Sequence, residues 1–360
     1  MKKTSYILLL FAGMILSLAG CQKEGGIKRG EAVRFGAASA NPATRTAYSG
    51  AVTNNFERID WVQEEKVLIW SDKAIDAYST DKKYETYQVK TVQDAGAESH
   101  ATLENIPGGN GLQWIDGVDE FKFWGSSPVM SGTPEDGKAT FTIPAAQQLA
   151  TGASATTANN VTTIPADMNN AWLLGAVEGA KPNKAVTMYF YPAFTAFEFT
   201  LSGDKEFDGE ITIRSVELVS EAGTAGTVAA TLATGTRTNT VSGVAHTIGA
   251  STYTFSNTGS VTFTLPANTV VSKTKSLVFT AFALPQNIEG LKVKFNVTVE
   301  DENVTFTGTM KKNGTPIVFG ACEKHRIQGV AVPGNLWKIY YQPDITVDKW
   351  ELVDNTYIFE

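Results

Sequence analysis

Three histidines, His100, His246 and His325, are the side chains best suited to metal binding or proton transfer, and they stand far apart. None has a Cys or carboxylate at ligand spacing, and no HExxH, paired CxxC or calcium-loop pattern occurs. A GxSxG elbow and a phosphate-cradling glycine loop are also missing. Ser272 and Lys275 satisfy S-x-x-K, but they lie in a polar turn without companion motifs. Carboxylates cluster in "DGVDE" and "PEDGK", which read as solvated turns rather than a glycosidase pair. Trp61 and Trp70 flank "VQEEKVLI" and Trp124 lies in "EFKFWG", where large aromatics fill a core more often than they stack on sugars. The expectation is a chain that is not an enzyme and needs no metal or cofactor.

The elements around these residues are strands. "VTMYFYPAFTAFEFTLSG" ends in a period-two alternation at Phe197, Phe199 and Leu201. "EITIRSVELVSE" alternates at Ile211 and Ile213 and again at Val216 and Leu218, and "GLKVKFNVTVED" at Val293, Phe295, Val297 and Val299. Such alternation marks antiparallel strands with one face in a core and one in water. Asn313-Gly314 between apolar runs signals a hairpin. Many short strands separated by turn residues give an all-β chain of sandwich or barrel type. Residues 145–170, small and polar, are expected to form a long surface loop with room for a short helix. A composition break in "EGAKPNK", residues 178–184, divides two β-domains, 46–182 and 183–360.

The 360-residue chain carries a net charge of −7, which argues against nucleic acid as a partner. Its N-terminus has Lys2 and Lys3, an apolar run from Tyr6 to Leu16, then Leu18-Ala19-Gly20-Cys21. A basic start, a short apolar core and small residues make a secretory signal over residues 1–20. The Cys directly after Leu-Ala-Gly resembles a bacterial lipoprotein lipobox, with Cys21 as the lipid-bearing residue. Each buried acyl methylene adds about 0.8 kcal/mol of membrane affinity. With Cys21 acylated, only Cys322 remains, so no intrachain disulfide is expected and Cys322 is read as a small core residue.

Several phrases together resemble the fimbrillin family of Bacteroidales surface lipoproteins, the subunits of protease-assembled pili. They are "TRTAYSG" followed by "RIDWVQEEKVLIWSD"; "FTIPAAQQL" with Pro144 and Gln147; "VTMYFYPAFTAFEFTLSG"; and "FALPQNIEGLKVKFNV" with Leu284-Pro285-Gln286. Their order behind the lipobox spans nearly all of the chain past residue 20. The resemblance implies two tandem transthyretin-like β-sandwich domains. It also implies a lipidated propeptide, residues 21–45, that carries the first strand, "EAVRFGAASA", with Val33, Phe35 and Ala37 on one face. An Arg-specific protease would cut between Arg45 and Thr46, and loss of the first strand would open a groove. Arg29 and Arg34 are other basic positions, and the loop position favours Arg45.

The groove would be filled by the C-terminal strand of another copy or a related pilin. The tail "DITVDKWELVDNTYIFE" supplies Leu352, Val353, Tyr357 and Phe359 as the candidate donor. Such strand addition restores both apolar burial and backbone pairing. The resemblance places the chain at the outer membrane and cell surface, in a fimbrium that supports adhesion. Three alternatives stand beside a stalk pilin: an anchor subunit that keeps its lipid, a tip subunit, and a surface glycan-binding lipoprotein. The last would present exposed Trp or Tyr side chains on one rim.

Overall fold

The computed structural model describes residues 28–39, 48–53, 56–95, 98–203, 205, 208–238, 245–299, 301–312, 315–322, 324–332 and 336–341. Among the described residues the chain is all-β in two tandem bodies, with one short 3-10 turn at Met168–Asn170. In the first body the hydrogen bonds close seven strands into a barrel. In the order of their pairing these are Phe121–Ser127, Leu173–Ala180, Val186–Pro192, Phe35–Ser39, Glu98–Asn105, Tyr84–Ala95 and Lys66–Ser71. A three-stranded sheet of Arg29–Ala32, Leu112–Ile115 and Ile75–Asp76 lies beside it. The barrel interior is aromatic, with Trp61, Trp114, Phe121, Phe123 and Phe190 all buried, while Trp70 stacks on Trp124 on the other face of the sheet. Gly125 makes room for this packing, since a Cβ there would lie 2.8 Å from the Phe190 ring.

The second body is built from two six-stranded sheets. Alternating residues of both sheets meet in its core: Phe279 contacts Phe263 at 4.9 Å between ring centroids, and Phe199 meets Phe295 edge-on at 6.4 Å. The strand Ile211–Val219 shows how the sequence encodes such packing. Its apolar phase switches between Ile213 and Val216, and its pairing with Lys292–Val299 shifts register between Ile213 and Ser215. The extra residue of a bulge turns the next side chain to the same face again, so all four apolar residues are buried.

Two expectations, the division at 178–184 and the loop at 145–170, meet a different arrangement. The aromatic run 186–203 is two strands. Val186–Pro192 closes the barrel against Leu173–Gly175 and Phe35–Ser39, and Thr195–Gly203 opens the second body. Pro192 has no amide hydrogen to continue the ladder, and the Ala193 amide donates instead to the Trp172 carbonyl at 2.7 Å. The change of sheet therefore falls at Ala193 and Phe194, one strand beyond the composition break at 178–184. Residues 145–170 do not form a surface loop. Ala146–Gln147 and Val161–Ile164 add in parallel to Val261–Thr264 and Ser276–Ala283 of the second body. The hairpin signal at Asn313-Gly314 corresponds to pairing of Lys311–Lys312 with Thr315–Pro316.

The bodies clasp each other in both directions. As residues 146–164 reach forward into the second body, a long hairpin, Ala225–Thr238 with Ala245–Gly259, reaches back. It pairs with Lys138–Ile143 of the first body and packs on Leu173–Ala180 and Val186–Pro192.

Candidate functional site

The seat of the first strand is the arrangement on which the sequence reading turns. "EAVRFGAASA" divides at Val33-Arg34 into two pairing segments. Arg29–Ala32 forms an edge against Leu112–Ile115, and the Val33 amide donates to the Leu112 carbonyl at 2.9 Å. Phe35–Ser39 then enters the barrel as an internal strand. It runs parallel to residues 186–190, with Phe35 opposite Val186 and Ala37 opposite Met188. It runs antiparallel to residues 99–102, with Ala37 opposite Ala101.

Val33, Phe35 and Ala37 are all buried, while Arg34 is exposed and its carbonyl accepts from the Val186 amide at 2.9 Å. The Phe35 ring meets Tyr87 and Phe123 edge-on, each at 5.1 Å between centroids. Tyr87 is itself fixed, because its hydroxyl accepts from the Leu112 amide at 2.8 Å and burial pushes its pKa up. The seat thus reads medium, aromatic, small along Val33, Phe35 and Ala37. Gly36 between them faces the Ala101 carbonyl, which a Cβ would approach to 3.4 Å.

A buried charge cluster lies at the neighbouring sheet. Asp76 accepts from the Tyr78 and Ser79 amides and from Asn110, and Lys82 sits 2.5 Å from Glu85 and 3.6 Å from Asp76. Burial works to raise the Asp76 carboxyl, but hydrogen bonds from Glu85, Tyr78 and Asn110 and the Lys82 charge outweigh it and hold the carboxyl far below its usual range. Glu85 moves the other way, raised by burial and by its hydrogen bond with Asp76. Lys82 already fills the cationic position between the two acids.

The second body has its own parallel pair, Thr195–Gly203 with Lys324–Val332. Glu198 joins the two strands as an ion pair with both bases, 2.6 Å from Lys324 Nζ and 2.8 Å from Arg326 Nε. Lys324 is completely buried, and His325 stacks against Phe197 at 5.3 Å. Gln147 and Gln286 close backbone gaps. Gln147 donates to the Phe282 carbonyl at 2.7 Å and accepts from the Phe282 amide at 2.9 Å, as a strand neighbour would. Gln286 donates to the Gly223 carbonyl at 2.8 Å.

Residues singled out for chemistry are held in local structure. The Ser272 hydroxyl accepts from the Thr274 and Lys275 amides within its turn, and Lys275 pairs with Glu210. In "PEDGK", Glu135 pairs with Lys138. Among the described residues no group of three or more His, Cys, Asp or Glu could hold a metal ion. Trp61, Trp70, Trp114 and Trp124 are buried and Trp172 is half-buried. Cys322 is half-buried in a turn with φ +57° rather than in the core. Cys21, Arg45 and Thr46 lie outside the described residues, as do Leu352, Val353, Tyr357 and Phe359. What sequence reasoning missed is the Lys324–Glu198–Arg326 cluster. Its only signal is the charged pair that interrupts "KHRI" opposite the aromatic strand.

The fold and the seat define an all-β chain of two tandem bodies whose N-terminal strand is internal to the first. No family model matches the chain, and no curated protein matches it in sequence. Among solved structures it is similar to a candidate cell adhesion protein from Bacteroides ovatus, at 14% identity over 90% of this chain and 99% of the other, TM-score 0.49. It is similar to a fimbrial assembly protein from Parabacteroides distasonis, at 12% identity over 88% and 96%, TM-score 0.42. It is also similar to the tip fimbrial protein Mfa3 from Porphyromonas gingivalis, at 7% identity over 89% and 100%, TM-score 0.38.

Proposed function

We propose that this chain is a structural fimbrial subunit, a stalk pilin. In this reading it is exported as a lipoprotein through Cys21, cut after Arg45, and polymerised by C-terminal strand exchange at the cell surface. It does no chemistry of its own. One observation carries the reading: the segment upstream of Arg45 supplies an internal barrel strand that buries the apolar side chains of Val33, Phe35 and Ala37. Withdrawing Phe35 and Val33 would expose surface worth about 1.5–3 kcal/mol for each large side chain. It would also leave two strand edges unpaired, one at residues 99–102 and one at residues 186–190. A donor strand of alternating apolar residues repairs both losses, and Tyr357 with Phe359 has the required spacing.

Trypsin treatment of the purified precursor tests the reading. Cleavage that leaves Thr46 as the new N-terminus should convert the monomer into a ladder of oligomers, and deletion of residues 351–360 should abolish the ladder. Cleavage without oligomers, or a ladder from the deleted chain, overturns it. An acylated Cys21 retained in assembled fibres would assign the chain to an anchor role instead.

A further inference from the structure

Arg34 offers a protease its side chain and withholds its peptide bond. The side chain is exposed and, among the described residues, makes no ion pair or hydrogen bond. An arginine-specific endopeptidase therefore finds the residue it recognises on the surface of the first body. The bond it would cut, Arg34–Phe35, is held on both sides. The Val33 amide donates to the Leu112 carbonyl and the Arg34 carbonyl accepts from the Val186 amide, each at 2.9 Å. Phe35 pairs with Val186, and Gly36 pairs with Thr102. Val33 and Phe35, which flank the arginine, are both buried.

An endopeptidase takes up its substrate as an extended segment whose main-chain groups pair with the enzyme, by the same physics as strand addition. In the seated strand those groups already have partners, and the side chains next to the arginine are packed in the core. Cleavage needs residues 33–36 to leave the seat together. The cutting rate then follows the population of the open form, as long as reclosing is faster than cutting. Arg29 is paired as well, opposite Ile115.

We propose that Arg34 is a second cleavage site, read by an arginine-specific endopeptidase only when the first strand is out of its seat. The reaction is hydrolysis. Water adds across the Arg34–Phe35 amide and the C–N bond breaks, leaving a carboxylate on Arg34 and an ammonium on Phe35. The proposal rests on the reading of residues 21–45 as a cleaved propeptide, and within that reading the two cuts give different products. A cut after Arg45 separates the whole first strand from the body. A cut after Arg34 separates residues 21–34 and leaves Phe35–Ser39 covalently joined to the body. The segment bearing Cys21 is then lost without emptying the barrel seat. The pairing at Val33 and Arg34 directs the protease to the productive bond.

The test uses the uncut chain with Arg45→Gln, an arginine-specific endopeptidase and mass spectrometry of the fragments. The fragment that begins at Phe35 should form at least about tenfold more slowly from the folded chain than from a synthetic peptide of residues 28–39. Tyr87→Ala removes the ring beside Phe35 and the acceptor of the Leu112 amide without touching the recognised sequence. It should speed the cut after Arg34 at least about tenfold. Thermal unfolding confirms that this variant folds. If it does not, urea below the unfolding transition should raise the rate for the Arg45→Gln chain relative to the peptide. Cleavage of the folded chain at the peptide's rate, a folded Tyr87→Ala chain cut no faster, or a relative rate that urea leaves unchanged would each overturn the proposal. No cut after Arg45 is possible in this chain, so the result stands or falls apart from oligomer formation.

Discussion

Each body of this protein contains a parallel strand pair brought together from distant parts of the chain, and the two pairs are secured differently. In the barrel, Phe35–Ser39 lies beside residues 186–190 and buries the apolar side chains of Phe35 and Ala37. In the second body, Lys324–Val332 lies beside Thr195–Gly203, and Glu198 ties the two strands through Lys324 and Arg326. The difference teaches what a strand costs to remove. An apolar strand can be replaced by any strand of matching pattern, because burial is non-directional. A buried ion cluster cannot be traded so freely, since removing one member strands the other charge in the core. The first seat suits exchange and the second suits permanence.

The largest expected effect tests the permanent pair. Glu198→Ala leaves Lys324 buried without its carboxylate and should destabilise the second body by about 3–5 kcal/mol in denaturant unfolding. A loss below about 1 kcal/mol would show that the cluster does not lock the strands. Phe35→Ala should cost the barrel about 3 kcal/mol by emptying the space between Tyr87 and Phe123. Hydrogen exchange should place that loss in the barrel strands, and an equal rise in Thr195–Gly203 would break the contrast.

Gln147→Ala removes both hydrogen bonds to Phe282 and should cost about 2 kcal/mol. Protection should fall at residues 146–164 and at Ser276–Ala283, because the side chain completes that edge.

The contrast also has a pH signature. Burial alone would raise Glu198, but the Lys324 and Arg326 charges outweigh it and hold its pKa below the ordinary value. A depressed carboxyl contributes stability that is present above its unfolded pKa and lost as pH falls through the folded one. Acidification should therefore loosen Thr195–Gly203 and Lys324–Val332. In the first body, Asp76 is depressed and Glu85 is raised, so their contributions change in opposite directions. Exchange measured from about pH 7 to about pH 3 should show the second body opening with a steeper dependence, which Glu198→Gln should flatten. The smallest effect is expected from Thr252→Lys, whose solvent-facing side chain should shift stability by less than about 0.5 kcal/mol.

Strand content was legible because the apolar period of two is a local property. Phe197, Phe199, Leu201, Val293, Phe295 and Val297 are all buried where alternation places them. The phase change between Ile213 and Val216 is also written in the sequence, as the bulge that keeps both pairs inward. The site was legible in part: alternation in "EAVRFGAASA" predicts that Val33, Phe35 and Ala37 share a face. Its division between two sheets was not, since the bend at Val33-Arg34 follows from the position of Leu112, far along the chain. Residues 145–170 were misread for a related reason. Small polar residues carry no apolar period, and their strands exist because Val261–Thr264 and Ser276–Ala283 offer edges to add to.

The sequence by itself determined the all-β class, the aromatic cores and the spacing of the apolar face in the first strand, because these depend on neighbours two residues apart. The tertiary structure alone decided which strands meet. It set Phe35 between Tyr87 and Phe123 and brought Glu198 to Lys324 and Arg326. Parallel and long-range pairings join residues more than a hundred positions apart, where no local pattern can specify the partner.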